Sequence, residues 1–300
     1  MHAHDAVKRR EILAFLGTLF VIIVWGETFV SSKILLGYGL TPAEVFFYRF
    51  VIAYICMWLL PGRKLFADSL KDELMTALLG ITGGTLYFLA ENTALRYSTA
   101  SNVAILVSST PVLTAIVMSI LYKEERLNAR QAGGSALAFA GMVMVVLNGH
   151  FVLHLNPKGD ALALGAALCW TAYSSIFQKV NKRYDVRFIT RKVFFYGVLG
   201  IIPCFLFLGP PSVDAAIIAK PAVWGNLLYL GIVASMLCFV LWNHAVGILG
   251  TVRTTNLLYS QPFFTMLVAA MVLREKITWM AIAGAVLIVL GMVLFERNHR

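Results

Sequence analysis

Between Ile12 and Phe295 the chain repeats one pattern, apolar stretches of about 18 to 25 residues separated by short polar links. A helix needs about 20 apolar residues to cross a bilayer core at 1.5 Å per residue. Ten stretches fit: 12–32, 43–60, 74–95, 100–121, 130–147, 160–178, 190–208, 222–246, 252–273 and 278–295. Links such as Arg96–Ser101 and Arg274–Thr278 barely turn the chain, so the spans they join form antiparallel hairpins. Composition agrees, with 59% hydrophobic and 13% charged residues, against about 45–50% and about 25% in soluble domains. The expected fold is an all-α polytopic membrane protein embedded in a lipid bilayer. The first span follows a basic start, Lys8-Arg9-Arg10, as in a signal peptide, but no small-residue cleavage site follows and the next span begins at once. It reads as a retained helix.

The net charge of +10 comes from short basic clusters scattered between apolar runs. That is the pattern of cytoplasmic membrane loops, and it argues against a nucleic-acid partner. With the N-terminus inside, the cytoplasmic segments hold 18 Lys and Arg residues and the opposite segments 6. The expectation is a protein of the cell (inner) membrane with both tails, 1–11 and 296–300, in the cytoplasm. The four cysteines, Cys56, Cys169, Cys204 and Cys238, lie in apolar runs without a CxxC pair. They read as small buried hydrophobes, with no disulfide framework and no metal site.

The chain also repeats itself. Val45–Tyr48 recurs at Val193–Tyr196, offset by 148, and Trp25 recurs at Trp170, offset by 145. Asn92 is matched by Asn243 and Pro111 by Pro262, both at 151. Glu125–Leu127 matches Glu275–Ile277 and the run from Gly134 matches that from Gly284, both at 150. Offsets that drift so little, in the same order, indicate a duplication. Each half, 12–147 and 160–295, holds five spans. Because five is odd, the second half enters the membrane from the opposite side. The expected architecture is therefore two five-helix inverted-topology repeats, with a site near their interface.

Several segments resemble the EamA repeats of the drug/metabolite transporter superfamily. They are "WGETFVSSK" at Trp25–Lys33, Arg49 after "VFFY", and "ALRYSTASNVAILVSSTPVLTAIV" at Ala94–Val117. "ERLNARQAGGSALAFAG" at Glu125–Gly141 and the long run Gly250–Gly291 continue the likeness, which covers nearly the whole chain. The resemblance implies a ten-helix exporter of small metabolites with a central cavity. Glu27 and Glu91 depart from the pattern: the first span is expected to carry a small uncharged polar residue there, and a carboxylate is unusual in the third.

Those two carboxylates and Arg49 form a charged layer. Glu91 lies roughly 7–8 Å below the outer end of span three, Glu27 roughly 9 Å deep in span one and Arg49 roughly 10 Å deep in span two, at the helical rise. Buried ionisable groups in a membrane pair with one another or line a wet cavity. Arg49 can neutralise one carboxylate, with Glu91 the expected partner in competition with Glu27. The other carboxylate needs a proton, a cationic ligand or water. The functional reading is proton coupling by Glu91 or Glu27, or recognition of an amine. The alternative is a fixed structural pair with the second Glu reaching toward the surface. By the repeat offsets Glu27 corresponds to Ala172, Arg49 to Gly197 and Glu91 to Trp242. Residues that break the internal symmetry are the best site candidates, while Asn92, matched by Asn243, reads as scaffold.

The second half contributes Trp242 and, on one face of span nine, Asn256 and Tyr259 as candidate substrate-binding groups; ordinary helix packing is the alternative for Trp242 and Tyr259. Pro111 and Pro262 fall about halfway along spans four and nine, where proline breaks the helical ladder, and are read as hinges or locally opened backbone lining the cavity, with a static kink as the alternative. The glycine-rich runs Gly80–Thr85 and Gly133–Gly141 permit close helix approach. A membrane enzyme would need a convergent acid, base, nucleophile or metal set. The six histidines lie mostly in tails and loops, with no HExxH and no GxSxG. No catalytic residue, cofactor or nucleotide-binding loop is indicated. The leading reading is a secondary transporter exporting a small organic metabolite, such as an amino acid or amine. A nucleotide-sugar or other phosphorylated cargo is the alternative, but it would want more deep cations than Arg49.

Overall fold

The computed structural model describes residues 2–62, 64–98, 100–122, 126–147, 156–209, 211, 215–264 and 278–296. Among these residues the chain is helix and turn, with no strand. The helices are α1 (His2–Gly37), α2 (Pro42–Met57), α3 (Leu70–Tyr97), α4 (Ala100–Val107), α5 (Thr110–Leu121) and α6 (Ala129–Leu147). They are followed by α7 (Pro157–Val180), α8 (Val186–Leu208), α9 (Pro221–Leu249), α10 (Thr251–Asn256) and α11 (Trp279–Glu296). Six segments are long and apolar enough to cross a membrane: Val7–Gly37, Leu70–Tyr97, Ala129–Leu147, Pro157–Val180, Val186–Phe207 and Pro221–Leu249. Ile105–Leu121 and Trp279–Phe295 are shorter apolar helices. The part of the ninth expected span beyond residue 264, and the link Arg274–Thr278, lie outside the described residues.

Large apolar side chains cover the outside as well as the inside. Leu13, Leu16 and Phe20 on α1, Leu206 and Phe207 on α8, and Val286, Val289, Leu290 and Val293 on α11 are all exposed. So broad an apolar exterior suits hydrocarbon and not water. Helices satisfy their own backbone, which is what a spanning segment in lipid requires. The chain is a multi-pass membrane protein.

Local sequence sets the helix ends. Thr41 and Glu44 form a reciprocal capping box at the start of α2, and Pro42 occupies the first turn, where a missing N–H costs nothing. Asn156 caps α7 by accepting from the Gly159 N–H, again ahead of a proline at Pro157. Gly250 alone joins α9 to α10, with φ at +86°, a conformation that favours glycine.

The irregular turns fall at matched positions of the two halves. A π-helical turn at Ile81–Leu86 interrupts α3, and one at Tyr229–Leu237 interrupts α9. The helix breaks at residues 108–109 between α4 and α5, and a 3₁₀ turn at Leu257–Ser260 follows α10. Pro111 therefore sits in the first turn of α5 rather than within a continuous helix, and Pro262 lies two residues past the end of the 3₁₀ turn. At both places the chain gives up the regular ladder just before the proline, whose ring could not have continued it.

Glycines mark where helices meet. A Cβ on Gly134 would lie 2.7 Å from the Gly291 carbonyl oxygen, and one on Gly141 would lie 2.5 Å from that of Gly284. The pairing runs in opposite directions, so α6 and α11 are antiparallel neighbours at backbone contact. A second exchange joins α3 to α8 and α9 to α2. A Cβ on Gly80 would meet the Gly197 nitrogen at 2.9 Å, and one on Gly231, its match in the other half, would meet the Arg49 carbonyl oxygen at 3.2 Å. At one end of the bundle, polar contacts fix the first turn of α3 and the segment before it onto α8 and the residues just ahead of α8. Glu73 takes Lys192 and Tyr196, Asp72 takes the Tyr184 hydroxyl at 3.0 Å, and Arg191 reaches the Gly62 and Lys64 carbonyls. In that segment the Lys64 ammonium, 2.6 Å away, holds the Asp68 carboxyl below its usual range.

Candidate functional site

Arg49 lies midway along α2 and is only 1% exposed. Its Nε donates to the Ser235 hydroxyl at 2.9 Å, and its guanidinium lies 4.3 Å from the centre of the Phe88 ring. Ser235 belongs to the π turn of α9, so the contact joins the two halves. The matched positions are Gly197 for Arg49 and Gly84 for Ser235, and they also meet: a Cβ on Gly84 would lie 3.4 Å from the Gly197 Cα. One geometry therefore occurs twice, with a guanidinium bonded to a hydroxyl in one copy and bare backbone in the other.

Glu91 is 7% exposed. Its carboxylate accepts from the Tyr87 hydroxyl at 2.7 Å, one turn earlier on the same helix. The expected Arg49–Glu91 contact is not formed among the described residues. Tyr87 is placed by helical spacing to reach Glu91 first, while Arg49 turns its Nε to Ser235. Glu27, two residues beyond Trp25 on α1, is half-buried and has no hydrogen-bond or ion-pair partner among the described residues.

Around these charges packs a cluster of rings from four helices. Trp25 and Trp170, matched in sequence, meet edge to face at 5.4 Å. Phe88 and Phe239, also matched, lie 6.4 Å apart. Trp242 stands 5.0 Å from Trp25 and 6.1 Å from Trp170, and Tyr87 lies 5.1 Å from Trp170. Arg49, Glu91 and Trp242 thus fall within one connected group, which Glu27 does not join by any hydrogen bond or ion pair among the described residues. The Trp25 indole N–H donates to the Ala234 carbonyl at 2.9 Å, while the buried Trp170 N–H has no partner among the described residues.

The other predicted groups sit differently. Asn256 is buried with its Oδ1 unpartnered among the described residues. Tyr259 turns toward α6, its hydroxyl 3.2 Å from that of Ser135 and its ring 6.0 Å from Phe139. The two asparagines do not share one role. Asn243 accepts from the Tyr173 hydroxyl at 2.6 Å and donates to Thr190 at 3.0 Å. Asn92 is 1% exposed, and both its amide atoms lack a partner among the described residues. The positions matching Tyr173 and Thr190 are Thr28, whose hydroxyl donates instead to the Trp25 carbonyl at 2.7 Å, and Pro42, which has no polar side chain. Sequence reasoning also passed over Ser235 and Tyr87. Tyr87 was detectable as the group one turn before Glu91; Ser235 carried no signal, because only the fold brings it to Arg49.

The chain resembles known proteins along nearly its whole length. The chain is 29% identical over 277 residues to an uncharacterized transporter of Archaeoglobus fulgidus, covering 91% of this chain and 93% of that one. It is 28% identical over 289 residues to a probable amino-acid metabolite efflux pump of Salmonella typhimurium, covering 92% of each. It is 25% identical over 282 residues to a probable terminal-alkyne amino-acid exporter of Streptantibioticus cattleyicolor, covering 93% of this chain and 92% of that one. A protein of known crystal structure, 17% identical, shares the fold with a TM-score of 0.76 over 94% of this chain and 96% of its own. Residues 12–147 and 157–297 each match the EamA-like transporter family, and the chain belongs to that family.

Proposed function

We propose that this protein is a secondary transporter that exports a small organic metabolite, an amino acid or amine, by alternating access between two inverted five-helix repeats. The observation that carries the proposal is the buried Arg49–Ser235 contact beside Glu91, set at the junction of the two halves. Ionisable groups at such depth mark substrate or ion pathways. Arg49 suits a carboxylate, and Glu91 with Glu27 suits an ammonium or a proton. Trp242 and the neighbouring rings supply apolar walls, and Asn256 adds an acceptor. Tyr259 is assigned to the seam with α6. The relatives named for amino-acid efflux and export support the cargo class.

Ten spans are supported by helices at every expected position within the described residues. Inversion is supported by the antiparallel glycine seam of α6 and α11 and by matched residues that meet their own counterparts. Pro111 and Pro262, each beside a broken helical ladder, are the proposed hinges. The basic side is cytoplasmic, so both termini face the cytoplasm of the cell membrane. Proton coupling resides in Glu91 or Glu27.

The test is uptake of labelled amino acids and amines into proteoliposomes under an imposed pH gradient. Wild type is expected to concentrate one of these cargoes with the gradient. Glu91→Gln or Glu27→Gln is expected to abolish the response to the gradient. Normal, gradient-responsive transport by both variants refutes the coupling role.

A further inference from the structure

Trp25 and Trp170 hold matched positions in the two halves and touch, yet their indole N–H groups are treated differently. The Trp25 N–H is seated on the Ala234 carbonyl, inside the π turn of α9. A π turn breaks the regular ladder and frees carbonyls for other donors. The residue matching Ala234 is Gly83, inside the π turn of α3. The equivalent bond would run from Trp170 to the Gly83 carbonyl, and it is not made. The Tyr173 ring lies against Gly83 so closely that a Cβ there would clash with it. Tyr173 is held in place by Asn243 at 2.6 Å and packs on Trp170 at 5.1 Å. A buried donor is thus left without its acceptor in one half only, beside a seat of the same construction as the occupied one.

We propose that Trp25 and Trp170 are an exchange pair. One indole N–H at a time is seated on a π-turn carbonyl of the opposite half, Trp25 on Ala234 in this state and Trp170 on Gly83 in the state that faces the other side. The exchange biases which side the site opens to. This rests on the inverted-repeat reading above. The unsatisfied Trp170 N–H disfavours the present state and the Trp25 bond favours it, so the two arrangements stay close in free energy, as a two-state element requires.

The test is hydrogen–deuterium exchange of the full-length protein in lipid nanodiscs, without substrate. It reads residues 229–237 relative to the α6 helix, so that any general loss of stability cancels. Trp25→Phe should speed relative exchange there by about fivefold, the scale of one net hydrogen bond. Trp170→Phe removes no bond in this state, yet it should slow the same exchange by a similar factor, because the opposite state loses its seat. The double variant should return to within about twofold of wild type, the two bonds cancelling. Changes of the same sign in the two single variants, or no change in Trp170→Phe, overturn the proposal. Because no cargo is present, either outcome is independent of the transport test of Glu91 and Glu27.

Discussion

The seam between α6 and α11 makes a quantitative prediction. Gly141 faces the Gly284 carbonyl oxygen at 2.5 Å from where a Cβ would stand, whereas a Cβ on Gly133, in the same helix, would meet nothing within 4 Å. Alanine at either position gains the ordinary helix propensity, about 1 kcal/mol relative to glycine. At Gly141 the obstruction is backbone, which cannot rotate aside, so the helices must separate. Overpacking of this kind costs about 1–3 kcal/mol. Gly133→Ala should therefore stabilise the protein slightly, and Gly141→Ala should fall below it by about 1–3 kcal/mol, the propensity gain being common to both. Thermal unfolding in one detergent measures the difference; at a few degrees per kcal/mol it should read as about 2–9 °C. Gly284→Ala acts on the same contact, so the Gly141→Ala/Gly284→Ala double variant should cost less than the sum of the singles. Equal melting of Gly133→Ala and Gly141→Ala, or strict additivity in the double variant, would refute the close antiparallel seam.

Two further predictions concern buried polar groups. Ser235→Ala leaves the Arg49 Nε without its acceptor and should lower stability by about 1–3 kcal/mol, read by thermal unfolding, while Arg49→Lys should not restore the contact because it lacks the Nε. Asn243→Leu strands the Tyr173 hydroxyl and removes the donor to Thr190, whose own hydroxyl still donates to the Val186 carbonyl, so it should cost about 1–3 kcal/mol, whereas Asn92→Leu breaks no bond among the described residues and should stay within about 0.5 kcal/mol of wild type in the same assay.

The membrane-protein class and six long apolar helices were legible because length and apolarity are properties of local sequence. The duplication was legible because matched residues keep their order. What could not be read was pairing across the halves. Glu91 and Arg49 share a depth, which favoured a direct ion pair, but depth does not fix rotation about each helix. Tyr87, one turn away, takes the carboxylate, and Ser235, some 186 residues further on, takes Arg49. Asn92 misled for a related reason. Its match to Asn243 suggested a shared structural role, but a repeated residue keeps that role only where its partners are repeated too. Pro111 marked where the regular ladder opens, but the sequence did not show that the opening comes as a full break before it, with the proline in the first turn of the next helix.

The Arg49–Ser235 contact also constrains how this chain can be rebuilt. Both members have glycine at the matched positions, so the halves are complementary rather than interchangeable. A tandem of two first halves would bury two guanidiniums, each facing Gly84 with no hydroxyl to receive it. A tandem of two second halves would set each Ser235 against Gly197 and lose the cation altogether. The duplicated fold tolerates symmetry in its scaffold, but its polar centre now needs one copy of each half. Chimeras with related proteins should therefore exchange residues 49 and 235 together, as a single unit spanning the two EamA segments.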